Sequence, residues 1–309
     1  MKRLMWVVVT VMVLSLESPA SAGASGPSLP VLYSGVLALA HASLNPGADP
    51  AGANDWACRP SAAHPRPVVL VHGTLANMTI TWFTLSPLLR NQGYCVFAFN
   101  YGQEGALPGL GLPGASRPGG VARVDRSAGE LAAFVDRVLR ATGAREVDVV
   151  GHSQGGMMPR YYLKFLGGAR KVGTLVGLAP PNHGTTIHGL SRIPGVPELI
   201  ATAGGQAVRD QIAGSALLRR LNEGGDTVPG VRYTVIASRL DGVVTPYASA
   251  FLDGPRVTDI VLQKQCPLNI SDHLAIAYDA RALHLVTNAL DPAHATPVDC
   301  RLTLPVNGG

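Results

Sequence analysis

Val147-Asp148-Val149-Val150-Gly151-His152-Ser153-Gln154-Gly155 reads as an apolar strand that runs without a linker into a tight turn, and the residues that follow read as a helix through Lys164. A G-x-S-x-G pentapeptide alone arises by chance. The β-branched run ahead of it and the helix behind it give Gly151–Gly155 its meaning. A turn that sharp forces Ser153 into a strained backbone conformation and lifts its Oγ clear of the sheet. Gly151 and Gly155 are required on steric grounds, because a Cβ at either place would strike the neighbouring strand or helix.

Outward from this unit, buried strands alternate with helices. Val68 to Val71 is a continuous apolar run ending in His72-Gly73, as a strand covered on both faces would read. Strands are also expected at Tyr94–Phe99, Val172–Leu178, Val231–Ser238 and Val257–Leu262, and helices at Thr81–Asn91, Ala207–Leu221 and His273–Leu290. Val124, Ala128, Leu131, Val135, Val138 and Leu139 mark one amphipathic helix. Such alternation means right-handed crossovers and a mostly parallel sheet flanked by helices, an α/β fold. No internal repeat or linker divides the chain. Residues 23–60, rich in Ala, Gly, Pro and Ser, read as an N-terminal extension with a short helix at Leu32–Leu39.

Lys2 and Arg3 precede an almost unbroken apolar run from Leu4 to Leu16, and Ala20-Ser21-Ala22 offers the small residues that a signal peptidase inspects. Residues 1–22 are therefore expected to be a signal peptide cleaved after Ala22, leaving a secreted, single-domain body over 23–309. A run of about 13 apolar residues is short for the ~20 that a spanning helix needs. The formal net charge is +5, carried by scattered basic side chains without a block or interleaved aromatics, which argues against a nucleic-acid groove. Cys58, Cys95, Cys266 and Cys300 are an even count in an exported chain and favour two disulfides. Three connectivities are open; Cys58–Cys95 with Cys266–Cys300 is preferred because each closes a local loop. Closing about 37 residues stabilises a fold by roughly 4 kcal/mol on the loop-entropy model. The spacings match neither a zinc site nor a redox pair, and no metal or cofactor is expected.

A serine hydroxyl is a poor nucleophile at neutral pH and needs a base. His41, His64 and His294 lie in loop-like ends, His72 and His152 sit inside motifs, and His183 and His188 come too early for the chain order Ser, acid, His. His284 lies mid-helix among Leu283, Leu285 and Val286 and reads as a packed structural histidine. His273, at a loop-to-helix boundary after the last strand, is the expected base. Asp241 follows Val235-Ile236-Ala237-Ser238 and is the expected acid, ahead of Asp226, Asp253, Asp259 and Asp272. Backbone N–H groups for an oxyanion should come from Gln154, after the nucleophile, and from the His72-Gly73-Thr74 loop, where the Thr74 hydroxyl is a candidate third donor.

Read together, these motifs resemble the secreted bacterial lipases of the small (class 2) lipase family, in the α/β-hydrolase superfamily. The resemblance rests on Asn54-Asp55-Trp56-Ala57-Cys58-Arg59-Pro60, Pro67 to Thr74, Phe99-Asn100-Tyr101-Gly102, the Ser153 turn, Leu178 to Thr185, Asp241 to Pro246 and Asp272-His273-Leu274. It implies a triad of Ser153, Asp241 and His273, an oxyanion hole lined by Thr74 and Gln154, and cofactor-free hydrolysis of carboxylic esters, commonly acylglycerols, at or away from a lipid–water interface. Thr74 stands where many hydrolases carry a further Gly.

Two other readings share the same residues. In acyl transfer a lipid or sugar hydroxyl replaces water, and a non-catalytic lipid-binding protein keeps only the fold; three filled triad positions argue against the second. A monomer is expected. The Gly102–Gly120 loop and the Thr185–Gly205 segment, with Ile187, Leu190, Ile193, Val196, Leu199 and Ile200, are the candidate apolar covers. Met157 and Met158 read as core filler. Asn77 and Asn269 head N-x-S/T sequons.

Overall fold

Six short runs of β-branched and aliphatic residues pair as one parallel sheet in the computed structural model, which describes residues 27–103, 118–190, 195, 202 and 205–309. The expected signal peptide lies outside the described residues, as do Leu107, Leu110 and Leu112 of one candidate cover and Ile193, Val196, Leu199 and Ile200 of the other. The strands are β1 (Val68–Val71), β2 (Val96–Phe99), β3 (Val147–His152), β4 (Val172–Leu178), β5 (Arg232–Ala237) and β6 (Val257–Val261), in the order β2-β1-β3-β4-β5-β6. The reversal of order at β1 and β3 puts the carboxyl ends of these two strands side by side, with Val71 in register with Gly151. In open parallel sheets, ligands bind at such a point.

Side chains alternate across a strand, so a strand covered on both faces must be apolar throughout. Val69 and Val71 enter the core shared with helices α4 (Val124–Thr142) and α5 (Gln154–Phe165). Val68 and Leu70 enter the opposite core, under helix α3 (Leu85–Asn91) and the final helix Ala280–Leu290. Helix α4 shows the expected stripe: Val124, Ala128, Leu131, Val135 and Val138 are fully buried, and Gly143 ends the helix in the left-handed region with its N–H on the Leu139 carbonyl. Met157 and Met158 of α5 are core residues. The disulfides join Cys58 to Cys95 and Cys266 to Cys300, the expected pairing.

Four helical expectations need correction. Thr81–Asn91 is two short helices, α2 (Met78–Thr81) and α3, because a continuous helix would place Pro87 in its interior, against the Phe83 carbonyl. As built, Pro87 falls in the first turn of α3, and Trp82 turns inward to full burial. Ala207–Leu221 breaks into Gln206–Asp210 and Ala216–Asn222: Gly214 takes φ 80°, and the Ser215 hydroxyl caps the second helix at Leu218 N. The final helix starts at Ala280, capped by the Asp279 carboxylate, so His273 sits in the loop ahead of it. The N-terminal helix α1 runs Gly35–Leu44, shifted toward the C-terminus and capped by Ser34.

Candidate active site

Ser153 stands between β3 and α5 with φ 55° and ψ −127°, a left-handed conformation that a non-glycine residue adopts only when its surroundings impose it. Both glycines of the turn are sterically obligatory. A Cβ on Gly151 would lie 1.8 Å from the Gly155 carbonyl oxygen, and one on Gly155 would lie 2.0 Å from the Val71 carbonyl oxygen at the end of β1. The strain raises Ser153 Oγ to 3.0 Å from His273 Nε2.

Beyond that contact, His273 Nδ1 lies 2.8 Å from Asp241 Oδ2. Asp241 sits after the carboxyl end of β5, and its other oxygen, Oδ1, accepts the backbone N–H groups of Val243 and Val244, each at 2.8 Å. Only Oδ2 is left for the imidazole, which holds a proton on Nδ1 and turns the Nε2 lone pair toward the serine hydroxyl. The other acids are committed elsewhere. Asp272, next to His273 in sequence, caps Ala275 N, and Asp259 accepts Leu252 N. His284 is half-buried and bonded to Thr296 Oγ1 at 2.7 Å, so it ties down the C-terminal segment rather than packing in the core.

Two histidines whose part was not evident from sequence position set the backbone of this array. Burial pushes His152 down to about 3, so it is neutral; its Nε2–H donates to the His273 carbonyl at 2.8 Å. The residue ahead of Ser153 thus tethers the main chain of His273. Burial likewise pushes His72 down to about 4. Its Nδ1–H donates to the Gly73 carbonyl at 2.8 Å, while its ring stacks on Tyr101 with centroids 4.4 Å apart. Carbonyl and N–H of a trans peptide point in opposite directions, so pinning Gly73 C=O aims the Thr74 N–H away from His72. A Cβ on Gly73 would lie 3.1 Å from Ser153 Cβ, which places this loop directly against the nucleophile. Among the described residues, neither the Thr74 N–H nor the Gln154 N–H has an intramolecular acceptor.

The Thr74 hydroxyl, the expected third donor, is hydrogen-bonded within the protein. It lies 2.6 Å from Gln154 Oε1 and 2.9 Å from Gln211 Nε2, so its proton is directed to the Gln154 side chain. The far end of the Gly102–Gly120 loop backs the same segment: Leu75 N bonds the Gly119 carbonyl, and a Cβ on Gly120 would meet Gly73 O at 2.9 Å.

Residues 65–276, which hold Thr74, Ser153, Gln154, Asp241 and His273, match the family model for lipase (class 2). The chain belongs to the class 2 lipase family. Over 105 residues it is 34% identical to a triacylglycerol lipase of Pseudarthrobacter phenanthrenivorans and to one of Burkholderia plantarii, each match covering 32% of this chain. The matched stretch is 28% and 25% of those relatives' own lengths. In fold, it resembles Aspergillus fumigatus lipase B (TM-score 0.60, 22% identity, 81% of this chain and 56% of that one). It also resembles a Bacillus licheniformis lipase in its mature form (TM-score 0.56, 20% identity, 80% of this chain and 99% of that one).

In this class 2 lipase-family chain, Ser153 and His273 open into a cavity of about 570 Å³, with Leu39, Ile80, Ile187, Val208, Ala277 and Val306 among its apolar lining. Its lining also carries polar side chains, among them Thr74, Ser153, Gln211 and His273, with His152, Thr81, Thr185 and Tyr278. The loop that carries His273 is stiffened by the Cys266–Cys300 bond and by buried Asn269, whose amide donates to Asp279 Oδ2 at 2.6 Å. Asn269 is therefore no glycan acceptor in the folded protein, and neither is Asn77, buried as the cap of α2. Among the described residues, no three His, Cys, Asp or Glu side chains are grouped to hold a metal, and no helix is long and apolar enough to cross a membrane.

Proposed function

We propose that this chain is an exported serine carboxylic-ester hydrolase, a lipase or esterase that turns over acylglycerol-type esters through an acyl-enzyme on Ser153. The observation that carries the reading is the continuous hydrogen-bonded series Asp241–His273–Ser153, opening into an apolar cavity. His273 Nε2 takes the Ser153 proton as Oγ bonds to the ester carbonyl carbon, and Asp241 stabilises the imidazolium. The N–H groups of Thr74 and Gln154 receive the oxyanion. The intermediate collapses as the C–O bond to the alcohol breaks, and His273 returns the proton to the leaving alkoxide. Water, deprotonated by His273, then attacks the acyl-enzyme and releases the acid together with Ser153. Two disulfides fit an oxidising compartment, in line with cleavage after Ala22.

Hydrolysis of p-nitrophenyl esters from C2 to C16 by the mature protein, beside Ser153→Ala, tests the reading. Turnover that drops on the order of 10⁶-fold in the variant is expected. Turnover that survives the substitution overturns the Ser153 mechanism, and no turnover by the wild type moves the weight to lipid binding. N-terminal sequencing of the exported protein should begin at Gly23.

A further inference from the structure

Gln211 lies 137 positions along the chain from Thr74, and the fold brings the two side chains into contact beside the nucleophile. Gln211 follows the short helix Gln206–Asp210, is buried, and lines the cavity. Its Nε2 donates twice, to the Ala207 carbonyl at 2.9 Å and to Thr74 Oγ1 at 2.9 Å. The Ala207 bond settles which way the amide faces, because Oε1 in that place would oppose a carbonyl oxygen. Thr74 Oγ1 therefore accepts from Gln211, and its one proton goes to an acceptor, here Gln154 Oε1 at 2.6 Å.

The main chain of Gln211 is held as firmly as its side chain. Its carbonyl accepts Thr185 N at 2.9 Å, and Thr185 Oγ1 donates to the Val243 carbonyl in the loop that presents Asp241. One residue thus joins the wall of the cavity, the loop of the acid and the hydroxyl next to the oxyanion donors.

We infer that Gln211 is a positioning residue for the oxyanion side of the reaction, acting through the Thr74 hydroxyl. With its oxygen occupied by the Gln211 N–H, that hydroxyl is a donor only, and the bond it receives polarises it to donate more strongly. In the resting site the proton rests on the neutral Gln154 carbonyl. As charge grows on the ester carbonyl oxygen, rotation about the Thr74 Cβ–Oγ bond transfers the donation to the oxyanion, a stronger, charge-assisted acceptor. The inference rests on the Ser153 reading of the site.

The test is a double-mutant cycle on p-nitrophenyl butyrate with Gln211→Leu, Thr74→Val and the pair, with Thr74→Ser and Gln211→Glu as controls. Gln211→Leu should lower kcat about 10-fold, the size of one hydrogen bond, and leave KM within about twofold. In the Thr74→Val background Gln211→Leu should have no further effect, whereas Thr74→Ser should keep the sensitivity. Gln211→Glu, which puts acceptors where a donor is needed, should lose at least as much as Gln211→Leu. Affinity for an alkyl boronic acid, a mimic of the tetrahedral intermediate, should fall in step with kcat. Equal losses from Gln211→Leu with and without the Thr74 hydroxyl would overturn the inference, as would a change confined to KM or to acyl-chain preference. If Gln211→Leu does not fold, the same cycle with Gln211→Met decides. Absence of ester turnover in the wild type, or its survival in Ser153→Ala, instead defeats the underlying reading and is seen before any Gln211 variant is made.

Discussion

Two of the histidine–aspartate pairs among the described residues have opposite fates. In one, His273 Nδ1 meets Asp241 Oδ2 at 2.8 Å, with side chains 7% and 2% exposed. In the other, His183 Nε2 meets Asp226 Oδ1 at 3.3 Å, with exposures of 41% and 9%. Among the described residues, Asp241 has no cationic partner besides its histidine; two backbone N–H groups hold it. Asp226 is claimed by the buried Arg160 at 3.3 Å, and Arg160 also donates to the Asp226 carbonyl, Asn182 and Asn222. An aspartate that already neutralises a guanidinium ties the middle of α5 to the loops around β4 and β5. One held only by amides keeps its charge for an imidazolium. What separates the two pairs is the third group at each aspartate.

The largest effects should split the pairs by kind. Asp241→Asn should lower kcat on the order of 10⁴-fold with the melting temperature nearly kept, since the amide preserves shape while losing the charge and the tautomer. Asp226→Asn should leave kcat close to wild type and cost on the order of 3 kcal/mol in urea unfolding, because Arg160 loses its buried counter-charge. A catalytic collapse in Asp226→Asn would erase the distinction.

Acid should then act on the two regions with opposite sign. His72 and His152 stay neutral when folded, so between pH 6.5 and their depressed values the unfolded chain binds more protons, and stability falls as pH falls. Each contributes a slope of about 1.4 kcal/mol per pH unit across its window. The hydrogen bond that His183 donates to Asp226 raises His183 above its ordinary value, so that pair's contribution is full below pH 6.5 and is lost as pH rises through the raised value. Melting curves from pH 4 to 9 should therefore fall steeply on the acid side and mildly on the alkaline side. Replacing His152 by Gln should flatten the acid limb.

A smaller effect sharpens the view of the first region. Leu39→Trp fills part of the apolar lining away from the triad and should shift the acyl-chain optimum to shorter esters, about 10-fold against the longest chain, with short-chain kcat unchanged. Smallest of all, His183→Ala should cost less than about 1 kcal/mol at pH 6 and almost nothing at pH 9, as a half-exposed pair would.

All six strands were readable to within two residues, most directly Val68–Val71, which is covered on both faces and therefore apolar throughout; Val257–Val261, at the sheet edge, is largely exposed and carries Thr258 and Asp259. The helices were less legible where a local signal was passed over: Pro87 and the Gly214-Ser215 pair each end a helix that hydrophobic spacing alone would continue. That Ser153, His273 and Asp241 come together was legible because a strained turn and chain order single them out. Gln211 carried no comparable signal. A glutamine after a short helix is ordinary until the fold sets it against a threonine far away in the chain.

The amino-acid sequence by itself determined the sheet, the strained turn at Ser153, the residues able to form a triad and the cysteines able to pair, because each is written in local periodicity, steric need or residue chemistry. Tertiary structure alone decided which aspartate remained free for a histidine, which histidines are neutral props for the main chain, and where the Thr74 proton points. Those properties depend on burial and on partners that the fold brings together, as with His152 and the His273 carbonyl, 121 positions away. No local pattern specifies such distances; packing the strands and loops around one buried cleft does.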